Sequence, residues 1–202
     1  MGTAMMAFTM HCCKNVLNPL FFLLLLVWLP WAAAADVEVR NPSLTPTDDG
    51  YALSADFNID FNNRLEEAVD RGVVLYFVVD FELNRHRWYW LDDKVASRTM
   101  TYRLSYNALT RLYRLSNGAL HQNFNSLESA LRLLSRLRNW TVLERGSSGL
   151  VYGQPYQASV RFRLDTSQLP KPFQLTALAY REWNLSSDWA RWNFIPEPRE
   201  AR

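Results

Sequence analysis

The sequence predicts a mainly β fold, an antiparallel β-sandwich or curled sheet with one packed helix and one short helix (α+β). Three observations carry this expectation. From Tyr51 to Phe61 the chain alternates: Tyr51, Leu53, Ala55, Phe57, Ile59 and Phe61 share one face, and Ser54, Asp56, Asn58 and Asp60 share the other. That is the pattern of a strand with one face buried and one in water. Asn117-Gly118 stands between Leu112–Ser116 and Ala119–Phe124, and this dipeptide accepts the positive φ angles of a two-residue hairpin turn at little cost. About eight strand-like segments and two helical ones follow one another closely, which favours sequence-adjacent antiparallel pairing with a helix laid on the sheet.

The elements are justified in order. Val37 and Val39 open a short first strand, which Asn41-Pro42 ends. Thr47-Asp48-Asp49-Gly50 is a turn, and the alternating strand follows. Asn62 or Asn63 can cap a short helix over Arg64–Arg71 with Leu65, Ala68 and Val69 inward; Gly72 ends it. Val73 to Leu91 reads as one long strand or two joined by a bulge, and Asp92-Asp93 turns it back into Val95–Tyr106. Asn125-Ser126-Leu127-Glu128 is a capping-box pattern. The helix it starts, Ser126 to Asn139, places Leu127, Ala130, Leu131, Leu134 and Leu137 on one stripe. Val151–Leu164 is a further strand with Val160, Phe162 and Leu164 on one face. Pro170-Lys171-Pro172 is a corner, and Phe173–Tyr180 is the last main strand.

The first 35 residues read differently. They hold one charged side chain, Lys14, and every residue from Leu20 to Leu29 is apolar. Ala32 to Ala35 follow, then Asp36. A cation, a short apolar run and an Ala-x-Ala site make a secretory signal, with cleavage expected after Ala35 and Ala34 as the alternative. Met5, Met6 and Met10 all precede the run, and a start at Met10 would give a more compact signal. The competing reading is an uncleaved anchor over residues 15–35, about long enough to cross a bilayer. The domain layout is then a signal over 1–35, one β-rich domain over 36–195 and a polar, flexible tail over 196–202.

Removing the signal removes both Cys, and with Lys14 gone 21 Lys and Arg stand against 20 Asp and Glu. So balanced a charge argues against nucleic acid held by bulk electrostatics. A Cys-free exported chain has no disulfides and no thiolate chemistry, so its stability must come from a packed core. No cofactor is implied, and no His-x-x-His or Gly-x-Ser-x-Gly pattern occurs. His86 and His121 are the only histidines beyond the signal, and no metal site is expected.

Two segments stand out. Arg85-His86-Arg87-Trp88-Tyr89-Trp90 alternates cations with aromatic rings, and Trp183, Trp189 and Trp192 repeat that chemistry near the C-terminus. Arg85, Arg87, Trp88, Trp90, Trp183, Trp189 and Trp192 form the candidate ligand or partner surface, because Arg and Trp can stack on sugars or lipid headgroups. The competing reading buries the Trp rings in the core. Asp80 and Glu82 share a strand face with Arg85 and Arg87 close by, which predicts ion pairs rather than acid–base work.

Several stretches together carry a family resemblance. They include Arg87-Trp88-Tyr89-Trp90, Tyr102 to Arg111, Tyr113-Arg114-Leu115, Leu120-His121-Gln122 and Ser126 to Leu131. Leu164 to Leu175 and Trp183 to Ser187 complete them. Over nearly all of the chain beyond the signal, the sequence resembles a family of exported Gram-negative bacterial proteins of unknown function, sometimes labelled proline-rich signal peptide proteins. The resemblance implies a periplasmic location and brings no activity and no catalytic residues.

The expected function is therefore that of a non-catalytic interaction module of the cell envelope, docking to a membrane sensor or another envelope protein. The alternatives are a glycan or lipid binder using the Trp/Arg surface, and a carboxylate-dependent hydrolase using Asp80, Glu82 and His86 or His121.

Overall fold

A computed structural model describes residues 37–85, 93–144, 146 and 149–197. The expected signal segment with Ala35, the residues His86, Arg87, Trp88 and Trp90, and the tail from 198 onward lie outside the described residues. The described strands form two antiparallel sheets, and three α-helices accompany them, which agrees with the expected mainly β, sandwich-like class.

The smaller sheet has β1 (Val37–Thr47), β2 (Gly50–Ile59) and β7 (Arg136–Glu144), with β2 in the centre. The larger sheet runs in the order β6 (Leu120–Phe124), β5 (Leu112–Asn117), β4 (Asp93–Asn107), β3 (Leu75–Arg85), β8 (Tyr156–Leu164) and β9 (Ala190–Phe194). β3 and β8 alternate: Leu75, Phe77, Val79, Phe81 and Leu83 lie on the same buried face as Ala158, Val160, Phe162 and Leu164, and only Val78 and Ser159 of the opposite face are buried as well. Tyr51, Leu53, Ala55 and Phe57 of β2 close the core from the other sheet. Phe162 sits at the junction, 5.0 Å from Phe57 and 5.6 Å from Phe77 between ring centroids. Fully burying rings of this size contributes about 1.5–3 kcal/mol each, so the sheet-to-sheet contact is a large contribution to stability.

The short helix α1 (Asn63–Asp70) is capped by Asn62, whose Oδ1 accepts from the Leu65 N–H at 3.1 Å. Leu65, Ala68 and Val69 enter the core, and Gly72 leaves the helix at φ +86°. The hairpin between β5 and β6 turns at Gly118, φ +56°.

Four expectations need correction. The first strand does not stop at Asn41-Pro42: it runs to Thr47, and a bulge between Arg40 and Ser43 absorbs the proline. β1 pairs with β2 on one side only in its sheet, so a missing N–H on the other side breaks no ladder bond. The second helix, α2 (Leu127–Leu134), ends five residues before Asn139. The Ser135 hydroxyl donates to the Leu131 carbonyl at 2.8 Å, and the Ser135 carbonyl accepts from the Phe57 N–H at 2.8 Å, which turns the chain into β7. Leu137, Val142 and Leu143 are buried from that strand, not from a helix. The β8 strand starts at Tyr156 rather than Val151, because Pro155 precedes it and the Tyr156 hydroxyl pins the loop, accepting from Val151 N and donating to Gly149 O.

The fourth correction is the largest. Phe173–Tyr180 is not a strand but most of a helix, α3 (Lys171–Ala179). Pro170 and Pro172 do not make a corner. They fill the N-cap and first turn, where a fixed φ and a missing N–H suit a helix start. The last strand is β9, within the stretch that reads as a tryptophan cluster. Beyond it the chain stays bonded as far as Glu197: Gly153 N donates to Pro196 O, and the Tyr51 hydroxyl donates to Glu197 O, both at 2.9 Å.

Candidate functional site

The period-2 alternation that buries one face of the larger sheet sends the intervening residues to its other face. In β3 these are Tyr76, Val78, Asp80, Glu82 and Asn84. Register sets Thr99 and Arg161 beside Asp80, Thr101 and Arg163 beside Val78, and Ser97 and Ser159 beside Glu82. Arg103, Arg114 and Arg191 fall on the same outer face from β4, β5 and β9. The buried side chains of α1 and α2 belong to the core cluster, and Ser97, Thr99, Thr101, Arg103, Arg114 and Arg191 are exposed.

Asp80 is the hub. Its carboxylate accepts from Arg161 Nη2 and Arg163 Nε, each at 3.0 Å, and from the Thr99 hydroxyl at 3.2 Å. Burial pushes its pKa up. The hydrogen bonds from Arg163 and Arg161, with the Arg163 charge and Thr99, outweigh that and hold it below the usual carboxylate range. Glu82 pairs with Lys94 Nζ at 2.6 Å. The two carboxylates thus share a face and are ion-paired, as expected, but with cross-strand neighbours rather than with Arg85. That residue donates from Nη2 to Asp93 at 2.8 Å, and this hydrogen bond raises its pKa. Arg103 and Arg191 make no ion pair among the described residues.

The structure separates the three described candidate tryptophans. Trp183 is a core residue, 4% exposed, with its ring 5.5 Å from Phe173 of α3. Its indole N–H is buried with no acceptor among the described residues. Trp192 is half-buried, opposite Ala158, and packs against the core. Trp189 alone joins the outer-face network: the Arg161 guanidinium lies 4.6 Å over its ring centroid. Arg161 is therefore held between a carboxylate and an aromatic face, an arrangement that suits a planar guanidinium. His121 stands on β6, with β5 and β4 between it and Asp80 on β3, and its register partner on β3 is Tyr76; that is about 14 Å across the sheet and about 13 Å along it at ordinary strand spacing.

Trp189 also lines an open groove of about 420 Å³. One wall is residues 37–39 of β1. The other is residues 187–190, which run beside β8 before β9 begins. An isolated parallel bridge between Val37 and Ser187 joins the walls.

Arg161 and Arg163 are candidate site residues that composition and motif search do not single out. Their signal is the alternation of β8: if Val160, Phe162 and Leu164 face inward, the two arginines between them must face outward together.

Comparison with protein families adds one decisive match: residues 34–193 fit the family described as a domain of unknown function, DUF4390. The chain belongs to the DUF4390 family. The match spans β1 to β9, so the two sheets and the outer-face network lie within the DUF4390 domain except for the final residue of β9. No curated protein and no solved structure matches the chain.

Proposed function

We propose that this DUF4390 chain is an exported, non-catalytic interaction module of the periplasm that docks an acidic segment of an envelope protein, a membrane sensor among the candidates. The observation that carries the reading is the charge state of the outer face. Its two β3 carboxylates are neutralised by Arg161, Arg163 and Lys94, while Arg103 and Arg191 stand in water without a counter-ion among the described residues. Exposed guanidinium groups suit carboxylate partners, which they bind two bonds at a time. The apolar run before Ala-x-Ala supports the export part.

The test is site-specific photo-crosslinking from Thr101, at the centre of the face, in whole cells. The expected product is one envelope protein crosslinked through a segment rich in Asp and Glu, lost in Arg103→Glu/Arg191→Glu and weakened by salt. Crosslinks that survive the double charge reversal, or that fall on segments without acidic residues, would overturn the docking reading. Sequencing the N-terminus of the exported form tests the other half: it should begin at Asp36.

A further inference from the structure

The groove beside Trp189 is not needed for docking an acidic segment, and its chemistry differs from that of the arginine face. Among the described residues no Lys or Arg lines it, while the carboxylates Glu38 and Asp188 do, which disfavours a phosphate or sulfate there. Its aliphatic lining is limited to Val37, Val39 and Ala190, and Val37 is almost wholly buried, which is too little apolar surface for an acyl chain. What it does offer is one large aromatic ring with carboxylates and a hydroxyl around it.

The ring is pre-positioned. Arg161 covers Trp189 from one side at 4.6 Å and is itself fixed by Asp80 at 3.0 Å, so little ordering is left for a ligand to impose. On the β1 wall, Glu38 is held by Arg40, whose Nη2 and Nε donate to one carboxylate oxygen at 2.6 and 3.0 Å. On the opposite wall Asp188 is exposed and makes no ion pair among the described residues. Carboxylate oxygens are strong acceptors for hydroxyl donors. A sugar ring needs these parts: an aromatic surface for its C–H face and acceptors for its rim of hydroxyls. The volume of about 420 Å³ lies within the range of roughly 300–1,000 Å³ usual for small-molecule sites. The open shape admits a chain rather than a single enclosed ring.

We propose that this groove binds a neutral oligosaccharide, with one sugar ring stacked on Trp189 and its hydroxyls donated to Glu38 and Asp188. The test is a backbone and indole N–H NMR titration of the full chain with two probes, a β-1,4-linked N-acetylglucosamine tetramer and maltotetraose. Expected are saturable shifts at residues 37–39 and 187–190 and at the Trp189 indole, with a Kd of about 0.1–10 mM for at least one probe.

Trp189→Ala should weaken binding at least about tenfold, the loss of roughly 1.4 kcal/mol, and Trp189→Phe should restore part of it. Arg103→Glu/Arg191→Glu should leave it unchanged, which separates this site from the docking face. No saturable shift with either sugar up to about 10 mM would overturn the proposal. So would Trp189→Ala binding as tightly as the parent, and so would the same residues responding instead to a basic peptide or to anionic phospholipid vesicles.

Discussion

The hydroxyl of Tyr113 donates a 2.6 Å hydrogen bond to the carboxylate of Asp70, fastening β5 to the last residue of α1. That bond to Asp70, with burial and the Asp70 charge, pushes the Tyr113 pKa up to about 12. Tyr113→Phe should lower stability by about 0.5–1.5 kcal/mol, measured by denaturant unfolding at neutral pH. The phenol's folded pKa is raised, so its contribution is complete below its unfolded value near 10 and is lost as pH climbs through about 12. Alkaline unfolding of Tyr113→Phe should therefore lack one component that the parent shows in that window.

Asp80 gives the opposite sign. Its pKa is depressed in the fold, so its contribution is present above the unfolded value near 3.8 and disappears as pH falls through the lower folded value. Asp80→Ala leaves two guanidinium groups without their shared acceptor and should cost about 1–3 kcal/mol at neutral pH. The difference from the parent should shrink on acidification below pH 3.8. A cost that does not change with pH would show that packing, not charge, is lost.

Ser187 is a buried polar residue with a structural task. Its hydroxyl accepts from Phe162 N at 2.9 Å, and its own N–H donates to Phe162 O at 2.8 Å. Ser187→Ala orphans a buried backbone donor in β8 and should cost about 1–3 kcal/mol. Amide exchange at Phe162 is the local readout: it should accelerate in the variant more than exchange at Phe77 does.

Phe162 touches both sheets through Phe57 and Phe77 and has no exposed surface. Phe162→Ala should cost about 3–5 kcal/mol, the largest loss among these variants. Thermal unfolding of the full chain checks it, and a loss below that of Ser187→Ala would contradict the central place given to this ring.

What the sequence discloses follows from which physical signal is local. β2 and the inner face of β8 are legible, because alternation of period 2 is unambiguous when one face is fully buried. The start of α2 is legible from Ser126, which accepts from the Ser129 N–H. Its end is not: Leu134 and Leu137 fit a continuing helical stripe equally well, and only the bond from Phe57 N to Ser135 O ends it. Phe173, Leu175 and Ala177 fit a strand as well as a helix, and the prolines that decide the matter serve a corner or a first turn with the same φ. Among the described candidate residues, Trp189 reaches the groove and the outer-face network while Trp183 and Trp192 go to the core. Nothing local distinguishes these three rings, since their burial depends on β8 and α3, which lie elsewhere in the chain.

The bridge between Val37 and Ser187 has a consequence for how the protein reaches its native state. It joins the first described strand to the approach of the last, and the central β3–β8 pair is itself far apart in sequence. Little of this topology can be rewarded early, because the loops that must close are long. Such a chain folds on the scale of about milliseconds to seconds. A ribosome-released fragment ending before Ala190 would lack the strand that pairs with Tyr156–Val160, leaving that part of the β8 edge bare and open to strand addition.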